Sequence, residues 1–106
     1  MNEVPSAVQR MIDATNAGDS EAFVAAFTPD AVLVDWGKEF EGREGIASWN
    51  ESDNIGRSAH FEIVESVAEA DVWIVNLAVT GGGFNGESGF RFELTDDLIS
   101  RMEIQP

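Results

Sequence analysis

Apolar positions first recur at helical spacing. Val8, Met11, Ile12 and Thr15 fall on one stripe, which predicts an amphipathic helix facing a core. Pro5 suits its first turn and Gly18 its C-terminal stop. Asp19 is placed to cap a second, shorter helix whose amides need an acceptor. The face of that helix carries Phe23 and Phe27, and Pro29 forbids its continuation. A strand is predicted from Ala31 to Trp36, then a turn-like "GKE". "GREGIASWNESDN" reads as a third helix with Ile46 and Trp49 on one side, although Gly45 weakens it by about 1 kcal/mol relative to alanine.

After Arg57 the period changes to two. "AHFEIVESV" alternates, and "DVWIVNLAVTG" places Trp73, Val75, Leu77 and Val79 on one face. "ESGFRFELT" groups Phe90, Phe92 and Leu94, and "LISRMEI" groups Leu98, Ser100, Met102 and Ile104. The short breaks "AEAD" and "DD" suit hairpins, so the sheet is expected to be antiparallel. The layout is three helices with one strand among them, then a four-stranded meander: an α+β plan.

Composition narrows the function. A chain of 106 residues is expected to form one domain, and 43% apolar residues suffice for one core. The absence of cysteine removes disulfides, thiolate nucleophiles and cysteine-ligated metal centres. A single histidine argues against a His-rich metal site, and no metal or cofactor is expected. Six Lys and Arg against 20 Asp and Glu give a net charge of −14. That field repels phosphate backbones and anionic lipid, so neither nucleic acid nor membrane is an expected partner. "MNEVPSAVQRMID" has no basic and apolar leader pattern, and no run matches a membrane span, so a cytoplasmic location is expected.

Several motifs are weaker than they look. "GGGFNG", residues 81–86, satisfies G-x-G-x-x-G, but a strand follows where a dinucleotide site needs a helix. It reads as a hairpin loop that binds no nucleotide. Asn50-Glu51-Ser52 fits the glycosylation pattern but is expected to stay unmodified. Asp96-Asp97 lacks the spacing of a calcium loop and suits a solvated turn. His60 beside Phe61 is a candidate general base or ligand donor, set against a partly exposed, hydrogen-bonded histidine at a strand start. Trp49 and Trp73 read as core or cavity wall.

Asp35 is the sharper candidate. It ends an apolar strand, sharing a face with Leu33 while Val34 and Trp36 share the other. Both faces are apolar, so the strand is expected to be covered on both sides and Asp35 at least partly buried. Lys38 and Arg43 are the nearest cations in sequence, and the turn is expected to carry both away. Asp35 is then either an inward proton acceptor or a structural carboxylate bonded to a backbone amide or an indole N–H.

The stretch "NAGDSEAFVAAFTPDAVLVDWGKEFEGREGI" resembles the nuclear transport factor 2-like superfamily, which includes ketosteroid isomerases and SnoaL-type polyketide cyclases. The resemblance rests on Gly18-Asp19 between the first helices, Phe27 before a turn with Asp30, and Gly42-Arg43-Glu44 opening the third helix. "VWIVNLAVTG" and "FRFELTDDLISRMEI" match the paired long strands. It implies three helices packed in a strongly curved, mostly antiparallel, cone-shaped (cystatin-like) sheet that encloses an apolar pocket. Phe23, Phe27, Leu33, Trp49, Phe61, Phe90 and Met102 are expected in its wall, around a small hydrophobic ligand. Asp35 falls on the position of the isomerases' proton-shuttling aspartate, with His60 the only imidazole to assist. The isomerases' two oxyanion donors fall near Met11 and Phe90 and are not matched. An isomerase- or cyclase-type proton transfer with Asp35 as base is one reading, and a non-catalytic ligand-binding or dimerisation module is the other. The resemblance also implies a homodimer through the outer sheet face, where Ile74, Asn76, Ala78, Arg91 and Glu93 lie.

Overall fold

The computed structural model describes residues 3–105. Its first helix, α1 (Ser6–Ala17), buries Val8, Met11, Ile12 and Thr15 on the stripe that the spacing predicts. The chain leaves α1 through Gly18, whose left-handed backbone lets its N–H reach the last carbonyls. Asp19 caps α2 (Ser20–Ala25) by accepting from the Ala22 N–H at 3.1 Å.

α2 is shorter than expected. Phe27 is not on it but opens strand β1 (Phe27–Asp35), while its ring still packs on Phe23 at 5.3 Å between centroids. The strand therefore starts before Pro29 and stops one residue before Trp36. Trp36 and Gly37 both take positive φ, 50° and 88°, and form a two-residue hairpin into β2 (Lys38–Glu41). The expectation of a mere turn at "GKE" is corrected here: β2 pairs with β1, with Lys38 opposite Asp35. Lys38 thus returns beside Asp35, yet its ammonium sits over the Phe40 ring, 5.2 Å from the centroid.

α3 (Gly42–Asp53) follows and buries Ile46, Trp49 and Asn50. The Arg43 fork anchors its first turn, with Nε and Nη2 both donating to the Phe27 carbonyl at 3.1 and 2.7 Å. A 3-10 turn (Ile55–Arg57) leads into β3 (His60–Glu69), β4 (Val72–Thr80), β5 (Gly86–Thr95) and β6 (Leu98–Gln105).

These strands form one six-stranded sheet of order β2-β1-β6-β5-β4-β3. Every pairing is antiparallel except β1 with β6. The fold is α+β with three helices against a curved sheet that stays open, its edges being β2 and β3. Phe61, Val75, Leu77, Val79, Phe90, Phe92, Met102 and Ile104 line the buried side with the helices.

The face of β6 differs from simple alternation. Glu93 pairs with Arg101 but Leu94 pairs with Ile99, so Ser100 is an extra residue in the ladder. Its hydroxyl donates to the Glu93 carbonyl at 3.1 Å. The bulge turns Ile99, rather than Leu98 and Ser100, into the core with Met102 and Ile104. Among the described residues no helix is long and apolar enough to cross a membrane.

Candidate functional site

The sheet register collects the site. Asp35 ends β1 opposite Ile104 of β6, and Ile104 lies opposite Phe90 of β5. Phe61 of β3 is opposite Val79 of β4. All five line a cavity of about 520 Å³, a size suited to a small molecule. Trp49 and Asp53 of α3 form another side, followed by Asn54, Arg57 and Ala59. Trp36, Thr80, Gly83, Phe84 and Ser88 complete it, and the half-exposed rings of Trp36 and Phe84 mark its opening.

Helix α3 brings the Trp49 indole across to β1. Its Nε1 donates to Asp35 Oδ2 at 2.9 Å, and Trp49 itself is only 4% exposed. Asp35 Oδ1 has no partner among the described residues. The indole N–H bond of the structural reading is present, and the carboxylate also borders the cavity. Trp49 stacks on Phe23 behind it, at 6.0 Å between centroids, so the anchor is itself held by packing.

The cavity's positive group is Arg57, which the sequence reading did not single out. Its Nε donates to the Ser52 carbonyl at 3.1 Å near the end of α3. Among the described residues its terminal nitrogens have no partner, whereas Arg10, Arg91 and Arg101 are each paired with a carboxylate. Arg57 is also held from behind, because its carbonyl accepts from Gly82 N–H at 2.8 Å. That contact belongs to the glycine loop. Asn85 closes the loop by accepting from Gly81 N–H and donating to the Gly81 and Gly83 carbonyls. The loop joins two strands, as its sequence context implies.

Of the expected wall residues, the structure brings Trp49, Phe61 and Phe90 to the cavity. Phe23, Phe27, Leu33 and Met102 are instead fully buried in the core behind it. The reason is depth: they belong to the core cluster packed between helices and sheet. Of the two readings of His60, the structure has the exposed histidine at a strand start. It is exposed on β3, one residue before inward-facing Phe61, so alternation turns it away from the cavity. Trp73 is partly buried against the core and does not line the cavity. Asn50 is 1% exposed with its amide bonded to Ser20 Oγ, which leaves the Asn-Glu-Ser motif inaccessible.

A model of the SnoaL-like domain matches residues 8–102. The chain belongs to the SnoaL-like family. It is thereby a member of the nuclear transport factor 2-like superfamily. Among solved structures, this SnoaL-like chain is 30% identical to a candidate polyketide cyclase from Sinorhizobium meliloti. The alignment covers 96% of this chain and 95% of that one, with a TM-score of 0.84. The Δ5-3-ketosteroid isomerase of a Mycobacterium species shares the fold at 16% identity, with 97% and 94% coverage and a TM-score of 0.83. A Mycobacterium tuberculosis protein solved with estradiol-17β-hemisuccinate does so at 19% identity, with 95% and 91% coverage and a TM-score of 0.82. Comparison with curated protein sequences finds no match.

Proposed function

We propose that this SnoaL-like protein binds a small hydrophobic carbonyl compound in its cavity and that Asp35 takes a proton from the carbon beside the carbonyl. One observation carries the reading. Asp35 is a carboxylate at the wall of an aromatic cavity, with Oδ2 fixed by Trp49 and Oδ1 left open. A base held in one orientation among Trp49, Phe61 and Phe90 meets the geometric requirement for proton abstraction. The charge that then develops on the carbonyl oxygen needs a donor, which is usually the largest single contribution to rate. Arg57, whose terminal N–H groups have no partner among the described residues, borders the same cavity and takes that role. Family membership, and the isomerase and steroid-bound structures that share the fold, support the class of ligand.

The second reading is a binding module without chemistry. It is favoured by Met11, fully buried, and Phe90, an apolar wall residue, at the positions where the isomerases' oxyanion donors are implied. Deuterium exchange separates the two. With 1-tetralone in D2O, the wild type is expected to accelerate exchange of the protons next to the carbonyl, and Asp35→Asn to abolish the acceleration. Binding without acceleration by the wild type would select the second reading.

A further inference from the structure

Asn54 borders the cavity but is only 1% exposed, and its hydrogen bonding is incomplete in an informative way. Its Nδ2 donates one hydrogen to Thr15 Oγ1 at 3.1 Å and the other to Asn50 Oδ1 at 3.0 Å. The Thr15 hydroxyl gives its own proton to the Met11 carbonyl, so it can only accept from Asn54. Asn50 Oδ1 also accepts from the Ile55 N–H, and Asn50 Nδ2 donates to Ser20 Oγ. The network therefore fixes which end of the Asn54 amide is nitrogen, and leaves Oδ1 on the other side.

Asn54 Oδ1 has no partner among the described residues. It is also not enclosed, since the one enclosed and unpaired side-chain atom among those residues is Thr28 Oγ1. Asn54 borders the cavity, the space from which a ligand would reach that oxygen. The backbone is built to hold it there. Asn54 takes φ −119° and ψ −102°, and its carbonyl accepts from the Arg57 and Ala59 N–H groups. Gly56 lets this turn lie on α3, because a Cβ there would stand 1.5 Å from the Glu51 carbonyl oxygen. A fixed amide and an unpaired acceptor coincide at one residue.

We propose that Asn54 Oδ1 accepts a hydrogen bond from a hydroxyl group of the ligand, so that the site selects hydrophobic hydroxy-carbonyl compounds over the matching ethers and unsubstituted ketones. This rests on the ligand-binding reading above. An ether oxygen has no proton to give, and placing it against Oδ1 removes water without replacing its hydrogen bond. A site built around one polar group discriminates strongly against an analogue that leaves it unpaired.

The test measures dissociation constants of 1-tetralone and of its isomeric ring-hydroxylated and ring-methoxylated derivatives. At least one hydroxytetralone is expected to bind the wild type about tenfold tighter than its methoxy counterpart. Asn54→Ala is expected to bring that ratio to about one. Since Asn54→Ala also removes two internal hydrogen bonds, the wild type supplies a second readout. The Asn54 side-chain amide resonances should move on adding the hydroxy compound and not the methoxy one. The inference is overturned by a ratio near one for every isomer while 1-tetralone binds, by a ratio that Asn54→Ala leaves intact, or by amide resonances indifferent to the hydroxyl. If 1-tetralone and all its derivatives fail to bind, the ligand-binding reading itself falls, and the two failures are thereby told apart.

Discussion

Asp35 illustrates how a single residue can serve two ends. The Trp49 indole loses its partner if the carboxylate is removed, and it is almost wholly buried. Asp35→Ala is therefore expected to destabilise by about 1–3 kcal/mol. Asp35→Asn keeps an oxygen acceptor for the indole and should cost less than about 1 kcal/mol, which chemical denaturation can resolve. A cost for Asp35→Asn equal to that of Asp35→Ala would mean that the charge itself holds the fold. Trp36 makes the opposite trade. A bulky residue at φ 50° is strained, and the ring remains 61% exposed at the cavity opening. Asn followed by Gly is the pair this hairpin favours. Trp36→Asn should raise the melting temperature and weaken 1-tetralone binding; a gain in stability with unchanged affinity would remove Trp36 from the site.

At the scale of elements, the helices were legible in the sequence because period, caps and stops agree. Val8, Met11, Ile12 and Thr15 mark α1, and Gly18 and Asp19 punctuate it. β2 was not legible, since "KEFE" offers one apolar residue in four and its stability comes from pairing with β1. The bulge at Ser100 was equally hidden, because an extra residue flips a face without changing composition. For the site, Asp35, Trp49, Phe61 and Phe90 were readable as an acid and aromatics on inward faces. Asn54 and Arg57 were not, because they lie in a turn whose only signal is the cluster "SDNIGRS".

The hairpin between β5 and β6 makes a pH-dependent link to α1. The Ser6 hydroxyl donates to Asp97 Oδ1 at 2.6 Å and, with the Arg10 guanidinium adding to it against some desolvation, holds the Asp97 carboxyl below its ordinary value. A depressed carboxylate contributes stability above its unfolded pKa and loses it as pH falls through the folded one. Ser6→Ala should thus be less stable than wild type near neutral pH, with the difference shrinking under strongly acidic conditions. Thermal melts across that range test the link, and a gap independent of pH would contradict it.

At the scale of the whole molecule, the outer sheet face remains. It carries Ile74, Asn76 and Ala78 on β4 and an Arg91–Glu93 pair at 2.7 Å on β5, all partly buried within one chain. We propose that this mixed surface pairs with its copy in a homodimer. Repulsion between two chains of net charge −14 opposes association, and salt screens it. Light scattering at moderate salt should give twice the 11.5 kDa of one chain. A monomer mass at high protein concentration would contradict the proposal.

We propose that a hydrophobic carbonyl ligand enters the cavity against the Asp35–Trp49 pair, and the three tryptophans carry their own control. Trp49 and Trp36 line the cavity, whereas Trp73 lies on the sheet outside it. Titrating 1-tetralone into nitrogen-15-labelled protein should move the Trp49 indole N–H resonance saturably, with Trp36 following and Trp73 nearly still. A Trp49 resonance that stays fixed while the ligand binds elsewhere, or shifts no larger than those of Trp73, would contradict ligand binding at this pair.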